Sequence, residues 1–235
     1  MKKIVVLTGA GISAESGLKT FRDSDGLWEG HDVMEVATFE GFVKNPALVL
    51  DFYNQRRRQL KTVLPNAAHL ALARLESKYK VVIVTQNVDD LHERAGSLHI
   101  IHLHGELLKA HGVRNTSDVF EIQDDILVGD KSPKGDQLRP AIVWFGEAVP
   151  KIEDAIKEIQ DADYVLVIGS SMQVYPAAGL VSEAPRTAKI WFIDPNPSLN
   201  YELKAKKNLT VITDKATIGV PRLVDDLLAN NLEKQ

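Results

Sequence analysis

The sequence contains no cysteine among its 235 residues. Disulfide bonds are therefore excluded, and nothing in the composition points to secretion. No apolar run approaches the roughly 18 residues of a membrane-spanning helix. The short apolar run near the N-terminus leads directly into a glycine-rich turn, which favours a strand over a signal peptide. These absences predict a soluble, cytoplasmic protein without a membrane partner.

A strong net charge is also missing. The formal net charge is −4 and the isoelectric point is near 6.0, so the chain has no general attraction to nucleic acid or anionic membranes. There are no internal repeats and no low-complexity tract. Hydrophobic residues make up 44% of the sequence, which is enough for a core. A chain of this length can form one large domain or a domain with an insertion.

Short apolar runs alternate with helical patterns along the chain. The strand-like runs are 3–7, 80–84, 100–103, 164–168, 189–193 and 209–212. The helix-like runs are 46–60, 66–77, 152–160, 177–182 and 221–229. This alternation predicts an α/β fold, with a mostly parallel, Rossmann-like sheet covered by helices on both faces.

Two segments interrupt the alternation. Residues 28–62 hold helical patterns without a strand, and residues 106–139 hold short polar pieces. Both are predicted to be insertions that build a smaller helical and loop lobe. The Rossmann-like domain would comprise 1–27, 63–105 and 140–235, with a ligand bound between the two parts at the carboxyl ends of the strands.

The first strand ends in a glycine-rich turn, Gly9-Ala10-Gly11-Ile12-Ser13-Ala14. Gly9 can make the tight turn, Gly11 leaves room for a pyrophosphate beside the backbone, and Ala14 is small enough for a helix to pack on the strand. Free N–H groups at a helix start favour an anion. The pattern predicts a dinucleotide site, although a tight strand–helix turn without a ligand has the same sequence.

The next segment departs from an ordinary dehydrogenase. Such an enzyme carries an acidic residue after its second strand, about 20 residues beyond the turn. Here residues 20–28 form a polar, glycine-containing pattern typical of a loop. A loop with Phe21, Arg22 and two aspartates beside a nucleotide turn indicates a lid, not a hydride-transfer scaffold.

Polar side chains follow three of the predicted strands. Asn87 and Asp89 follow 80–84, where amide groups can bind a carboxamide or a ribose hydroxyl, but either residue could equally cap the next helix. Ser170 follows Gly169 and suits phosphate or ribose oxygens, although a tight turn is the alternative. Asp194 can accept hydrogen bonds from a ribose, which favours NAD over NADP.

Two histidines, His102 and His104, lie on the same face of a predicted strand. A metal pair is conceivable, but no third ligand has an evident spacing to them. An imidazole with a pKa near 6.5 can also accept a proton from a hydroxyl at neutral pH.

The helical pattern 46–60 places Tyr53 and Arg56 three residues apart on one face. A tyrosine hydroxyl beside a guanidinium is a good carboxylate receptor. The run 56–58 is otherwise typical of a solvated face, and Arg57 and Arg58 are expected at the surface or in contacts within the lobe.

These motifs resemble those of the sirtuins, the NAD-dependent protein deacylases. The matching segments, in order, are GAGISAESGLKTFR at 9–22, TQNVDDLH at 85–92, LHGE at 103–106, VWFGE at 143–147, GSS at 169–171 and VYPAAG at 174–179. The resemblance covers residues 2 to about 225 and is greatest to the bacterial desuccinylase and demalonylase class.

The resemblance implies that NAD is consumed as a co-substrate, with release of nicotinamide and transfer of the acyl group to give O-acyl-ADP-ribose. It implies that His104 is the general base, that Asn87 orders a water and the ribose, and that Asp89 binds the nicotinamide amide. Tyr53 and Arg56 match the acid-recognition pair. The cofactor-binding residues implied are Gly9, Ala10, Gly11, Ile12, Ser13, Glu15, Phe21, Arg22, Trp28, Gln86, Asn87, Val88, Asp89, Gly169, Ser170, Ser171, Asp194, Pro195, Asn196 and Ala216.

The resemblance also concerns the substrate. Acyl-lysine proteins or peptides are the partners implied, and the segment Val143, Trp144, Phe145 and Gly146 would pair with the peptide as an added strand. Read without the resemblance, this apolar segment is an ordinary strand. Two alternatives remain open: a protein ADP-ribosyltransferase and a non-catalytic NAD-binding module.

The sequence departs from most sirtuins in one respect. They hold a structural zinc with four cysteines, and this chain has none. His111 with the scattered Asp118, Asp124 and Asp125 is not a convincing zinc set. We therefore expect no zinc and a lobe held by packing and hydrogen bonds alone.

Overall fold

The computed structural model describes residues 1–19, 27, 28 and 30–230. The strands in these residues are β1 Lys3–Thr8, β2 Leu27–Trp28, β3 His31–Asp32, β4 Lys80–Thr85, β5 Ile100–His102, β6 Gly105–Gly112, β7 Phe120–Glu121, β8 Leu138–Ile142, β9 Tyr164–Ile168, β10 Lys189–Ile193 and β11 Leu209–Ile212.

The α-helices in the same residues are α1 Gly11–Ala14, α2 Val33–Val36, α3 Phe39–Lys44, α4 Pro46–Leu60, α5 Ala67–Arg74, α6 Leu91–Arg94, α7 Ile152–Ile159, α8 Tyr201–Lys204 and α9 Ala216–Leu228. In these residues, two 3-10 helices cover Leu75–Ser77 and Ala177–Glu183. No helix in the described part of the chain is long and apolar enough to cross a membrane.

Six strands form one parallel sheet in the order β11-β10-β9-β1-β4-β5. The chain builds outward from β1 to β4 and β5, and then returns to the other side of β1 with β9, β10 and β11. β1 and β9 are therefore neighbours from which the chain leaves in opposite directions, the place where Rossmann-like sheets bind their ligands. The predicted α/β fold class is confirmed, and all six strands lie within one residue of their predicted bounds.

Both faces of the sheet are buried. Side chains alternate along β1, so that Ile4 and Val6 pack with α5 and α9, whereas Val5 and Leu7 pack with α7 and the second 3-10 helix. Because neither face meets water, the strand reads as a continuous apolar run, which explains why the sequence identified it.

A third core lies outside the main sheet. It joins α2, α3 and α4 to β6 and β8, and β6 pairs antiparallel with both β7 and β8. The helical and loop lobe predicted from the sequence also contains a three-stranded sheet, to which residues 106–139 contribute. The β6–β8 register shifts between Glu106 and Ala110, which removes the simple apolar–polar alternation of a strand. The predicted domain boundaries stay a prediction.

The helix α9 begins at Ala216, not at Pro221 as the sequence predicts. A proline is most easily placed in the first turn of a helix. Here Pro221 lies inside α9, and the helix extends towards its N-terminus because Ala216, Gly219 and Val220 are buried.

The arginine run on α4 divides between core and surface. Arg57 is only 1% exposed and donates to the carbonyl of Leu107 at 3.1 Å and to Asn54 Oδ1 at 2.7 Å. Burial lowers the pKa of Arg57. Arg58 is half-exposed and pairs with Asp125. Arg57 is thus a contact within the lobe, and the solvated-face interpretation applies to Arg58.

Candidate active site

A cavity of about 500 Å³ opens at the carboxyl ends of β1, β4 and β9. It lies at the point where the strand order reverses, and residues of the third core close its other side. The predicted site residues that line it are Gly9, Ala10, Gly11, Ser13, Trp28, Tyr53, Arg56, Gln86, Asn87, Val88, Asp89, His104, Val143, Trp144, Phe145, Gly146, Gly169, Ser170 and Ser171.

The glycine turns after β1 and β9 pack directly against each other. The Gly11 N–H donates to the Gly169 carbonyl at 2.8 Å. A Cβ added to Gly11 would lie 2.7 Å from Gly169 Cα, and one added to Gly169, where φ is +59°, would lie 2.4 Å from the Ile12 nitrogen. Glycine at both positions lets the two turns pack this closely. Together with small residues such as Ala10 and Ser170 they form a wall of the cavity with little side-chain bulk, which leaves room for a pyrophosphate.

The third position of the glycine motif does not have its predicted role. Ala14 is exposed and does not pack on the strand. The helix α1 ends at Ala14, so its close contact with the sheet comes from the buried Ile12 instead.

A hydrogen-bonded chain links the turns after β1 and β4. Asn87 Nδ2 donates to Ser13 Oγ at 3.1 Å, and the Ser13 hydroxyl donates to Asp89 Oδ2 at 3.0 Å. Asp89 Oδ1 accepts the Leu91 N–H. Burial raises the pKa of Asp89 to about 6, so its carboxylate is ionised at neutral pH. The two predicted nicotinamide-side residues, Asn87 and Asp89, are therefore fixed relative to each other by Ser13.

His104 is oriented by a backbone carbonyl. Its Nδ1 lies 3.1 Å from the oxygen of Gln86, and since a carbonyl can only accept, Nδ1 carries the proton. Burial lowers the pKa of His104, so the ring is neutral at pH 7 and Nε2 keeps its lone pair. The Gln86 side chain continues across the cavity wall and donates to Ser170 Oγ at 3.0 Å.

Aromatic residues surround Tyr53 and Arg56, the pair predicted to recognise an acidic acyl group. Tyr53 is buried, and its hydroxyl accepts the Trp144 Nε1–H at 3.0 Å. Burial raises the pKa of Tyr53, so the phenol stays protonated. The Arg56 guanidinium stacks 3.7 Å above the Phe52 ring and donates to the Phe52 carbonyl at 2.6 Å. The edge of Trp28 contacts Phe52 and Tyr53.

The segment 143–147 is irregular, so its interpretation as an ordinary strand is wrong. Among the described residues, its strand-like pairing is limited to an isolated bridge between Phe145 and Thr38. The reason is a local clamp: Arg139 makes two hydrogen bonds of 2.8 Å to the Glu147 carboxylate, which also accepts the Trp144 N–H at 2.8 Å. Although burial opposes ionisation, Arg139 holds the pKa of Glu147 below its usual value.

Several predicted cofactor residues lie outside the cavity wall. Ile12 and Ala216 are buried in the core, and Glu15 bonds to Thr217 at the start of α9. Asp194 is buried, and its Oδ1 accepts the Asn196 N–H at 2.8 Å, while Pro195 and Asn196 are exposed. Phe21 and Arg22 lie outside the described residues.

Sequence reasoning missed several residues of the site. The unpredicted lining residues are Leu18, Lys19, Ala37, Gln59, Leu60, Leu107, Ile142, Glu147, Val149, Gln173, Val174, Tyr175 and Pro176. The clamp residue Arg139 was also missed. Its place next to Pro140 and shortly before the Trp-Phe-Gly-Glu segment is the only signal in the sequence, and that signal is weak.

Within the described part of the chain, no three His, Asp or Glu side chains come together as metal ligands. The residues considered for zinc have other partners. His111 bonds to the Gly112 carbonyl, Asp118 pairs with Lys134, and Asp125 pairs with Arg58.

Comparisons with known proteins identify the family of the chain. Residues 9–176 match the model of the Sir2 family. An NAD-dependent protein deacylase of Helicobacter pylori is 54% identical over 97% of this chain and 98% of its own. A crystal structure of a Sir2 homologue bound to NAD has a TM-score of 0.87 at 38% identity, covering 97% of this chain and 90% of that one.

A further Sir2 structure contains 2′-O-acetyl-ADP-ribose and a deacetylated p53 peptide. It has a TM-score of 0.78 at 28% identity, covering 95% of this chain and 93% of that one. The chain therefore belongs to the Sir2 family, the sirtuins, and is an NAD-dependent protein deacylase.

Proposed function

We propose that this deacylase removes succinyl and malonyl groups from lysine side chains of proteins or peptides, and that it accepts acetyl-lysine less well. One observation carries the proposal. Tyr53 and Arg56 line the same cavity as Asn87 and His104, so an acyl group that reaches the reactive end can also contact this pair.

The preference follows from desolvation. A carboxylate that enters a closed channel loses its water, and only charge-assisted hydrogen bonds can replace that hydration. The Tyr53 hydroxyl already accepts from Trp144, so its own proton can be donated elsewhere. Arg56 is held by its stacking on Phe52, and a guanidinium carries enough N–H groups to bind a carboxylate as well.

The residues at the end of the cavity away from Tyr53 and Arg56 would have separate roles in the reaction. The backbone of the two glycine turns would hold the pyrophosphate, and Asn87 and Asp89 would orient the ribose and the nicotinamide amide. NAD, when bound, would supply a ribose carbon that bonds to the acyl oxygen as nicotinamide leaves. His104 would accept the proton of a ribose hydroxyl at Nε2, where the tautomer leaves a lone pair, so that this hydroxyl takes the acyl group. One water would be consumed, and the products would be free lysine, nicotinamide and O-acyl-ADP-ribose.

The segment 143–146 would bind the substrate peptide as an added strand. Phe145 is 43% exposed beside the cavity. Gly146 has φ of +88° and open space where a Cβ would lie. A related Sir2 protein has been crystallised with a peptide, which supports peptide binding at this kind of site.

The test compares acetyl-, malonyl- and succinyl-lysine versions of one peptide, with product masses read by mass spectrometry. Each charge-assisted bond contributes on the order of 1.5–3 kcal/mol, so the double variant Tyr53→Phe, Arg56→Met should lose desuccinylation by roughly 10²-fold or more. Deacetylation should be kept or improved.

The matched control is Arg58→Met, which makes the same change on the exposed side of α4 and should leave all three activities unaltered. Equal losses of desuccinylation and deacetylation in the double variant would show that the pair is structural. ADP-ribose found on the peptide would instead identify a transferase.

A further inference from the structure

His102 lies directly behind the turn that carries Asn87 and Asp89. Its Nδ1 is 3.2 Å from the Asn87 carbonyl oxygen, and its Nε2 is 2.7 Å from Glu93 Oε1. The side chain of His102 is 8% exposed. It does not line the cavity, and the reaction as described above gives it no role.

The two partners of His102 decide its protonation. A backbone carbonyl and a carboxylate both accept hydrogen bonds, so each ring nitrogen must donate one. Both bonds exist together only when the ring is an imidazolium. Glu93 supplies the matching negative charge, and the hydrogen bond from His102 Nε2 to Glu93 Oε1 is short and charge-assisted.

The pair supports the reactive turn at a defined point. His104 bonds to the Gln86 carbonyl and His102 bonds to the Asn87 carbonyl. The two histidines therefore hold the carbonyl groups of consecutive residues. His102 also stands close enough to Asp89 for its charge to favour the ionised carboxylate. Losing the His102 proton would thus loosen the Asn87 backbone and remove a positive charge near Asp89.

We propose that His102, ion-paired with Glu93, is a positioning residue of the deacylase reaction. Its imidazolium holds the Asn87 carbonyl and thereby sets the side chains of Asn87 and Asp89 at the cavity wall. The inference rests on the roles proposed above for Asn87 and Asp89, but it does not depend on the preference for acidic acyl groups.

The surrounding charges give the sign of the pH dependence. Burial works to lower the pKa of His102, but Glu93 and, more weakly, Glu106 raise it, and the net direction is upward. Glu106 is itself paired with Lys109. Asp89 on the turn and His92 on α6 are further ionisable groups that interact with the charge of His102. The active form is the protonated one, so activity is lost as pH rises through the pKa of His102.

A direct test needs no bound NAD. The ¹⁵N shifts of the ring nitrogens in the uniformly labelled protein distinguish an imidazolium from a neutral ring. His102 should keep both protons at pH 7, and Glu93→Gln should lower its titration midpoint by about one pH unit or more, because an opposite charge has been removed.

Kinetics then test the positioning role. His102→Gln keeps N–H donors but carries no charge and cannot place two donors on opposite sides of a rigid ring. It should lower kcat on the order of 10- to 100-fold. The KM for the acyl peptide and the affinity for ADP-ribose should change little. Glu93→Gln should move the alkaline limb of the rate profile to lower pH. His99→Gln, the same change at an exposed position just before β5, should behave as wild type.

Two results would overturn the proposal. One is a neutral His102 ring at pH 7. The other is wild-type kcat per folded molecule and an unchanged pH profile in both variants, even if Tm falls, because that pattern belongs to a merely structural pair. The variant Asn87→Ala distinguishes failure of the proposed role of Asn87 from failure of the positioning role of His102. Normal turnover in Asn87→Ala would remove the role proposed for Asn87 itself. A large loss of turnover in Asn87→Ala, together with normal turnover in His102→Gln, would refute the positioning role alone.

Discussion

The chemistry of His104 depends on which ring nitrogen carries its proton. The Gln86 carbonyl holds the proton on Nδ1, and burial lowers the pKa of the ring. Both effects favour a neutral imidazole whose Nε2 can accept a proton at pH 7. We expect the ring of His102, two positions away, to be doubly protonated instead, because its second nitrogen faces the Glu93 carboxylate and not the cavity.

His104→Ala should reduce deacylation by at least about 10²-fold, the usual size of a lost general base. Binding of NAD should survive, since the glycine turns are untouched. Turnover of the preferred acyl peptide and calorimetric titration with NAD measure the two effects separately. His99→Ala is the matched control, and near-normal turnover of the His104 variant would remove His104 from this role.

At the scale of elements, the sequence predicted best the strands that are buried on both faces. The four central strands of the main sheet, β1, β4, β9 and β10, are nearly continuous apolar runs, and their pattern does not depend on any one partner. The strand β6 has a register shift against β8, so its pairing cannot be read from its own residues. The clamp of Arg139 and Glu147 likewise depends on how two chain segments meet.

The interior place of Arg57 could have been predicted. It lies four residues after Tyr53 and three before Leu60, on the buried stripe of α4. The charge alone suggested the surface, but the carbonyl oxygens of Leu107 in β6 and of Asp124 after β7 accept hydrogen bonds from the guanidinium and compensate its charge. The contact of His102 with Glu93 had no such signal, because it joins the end of β5 to a short helix.

We expect the Asn54 side chain to stabilise the lobe through hydrogen bonds to the backbone of Ile126. Asn54 donates to the Ile126 carbonyl and accepts the Ile126 N–H, both at 2.9 Å. Asn54→Ala leaves these buried backbone groups unpaired, which costs about 1–3 kcal/mol for each group. Urea unfolding should show this loss of stability, and the Ile126 amide should exchange its hydrogen faster.

The control is Gln55→Ala on the exposed side of the same helix, where the side chain bonds only to Asp51 among the described contacts. Equal stability of the two variants would show that Asn54 is dispensable.

A chelator should leave the Tm of the wild type unchanged, since the chain has no cysteine ligands. A Tm that falls on chelation, with stoichiometric metal in the protein, would contradict the prediction of a lobe without zinc.

At the scale of the whole molecule, two buried histidines join the sheet to the helices beside it. His92 Nε2 lies 3.1 Å from Thr8 Oγ1 at the end of β1, and the rings of His69 and His92 are 4.9 Å apart. His69 is fully buried, and its Nδ1 accepts the Asn66 N–H. A charge on either ring would have no partner among the described residues, so both must be neutral in the folded protein.

This arrangement makes the folded state sensitive to acid. Burial lowers the pKa of His69 to about 4, whereas an unfolded histidine titrates near 6.5. Between these values the unfolded chain binds more protons, so stability falls as pH falls. At about 1.4 kcal/mol for each pH unit, the titration of His69 alone should lower the free energy of unfolding by about 2 kcal/mol between pH 6.5 and pH 5. Asp89 opposes this, because its pKa is raised to about 6 in the folded protein.

A variant isolates the contribution of His69 from that of Asp89. His69→Leu removes the titrating ring and keeps Asp89, so its free energy of unfolding should fall by about 2 kcal/mol less than that of the wild type between pH 7 and pH 5. Urea unfolding at the two pH values gives the difference directly. His99→Leu, at an exposed position, should follow the wild type. If His69→Leu and the wild type lose the same stability on acidification, the buried histidine is not the acid-sensitive element of the fold.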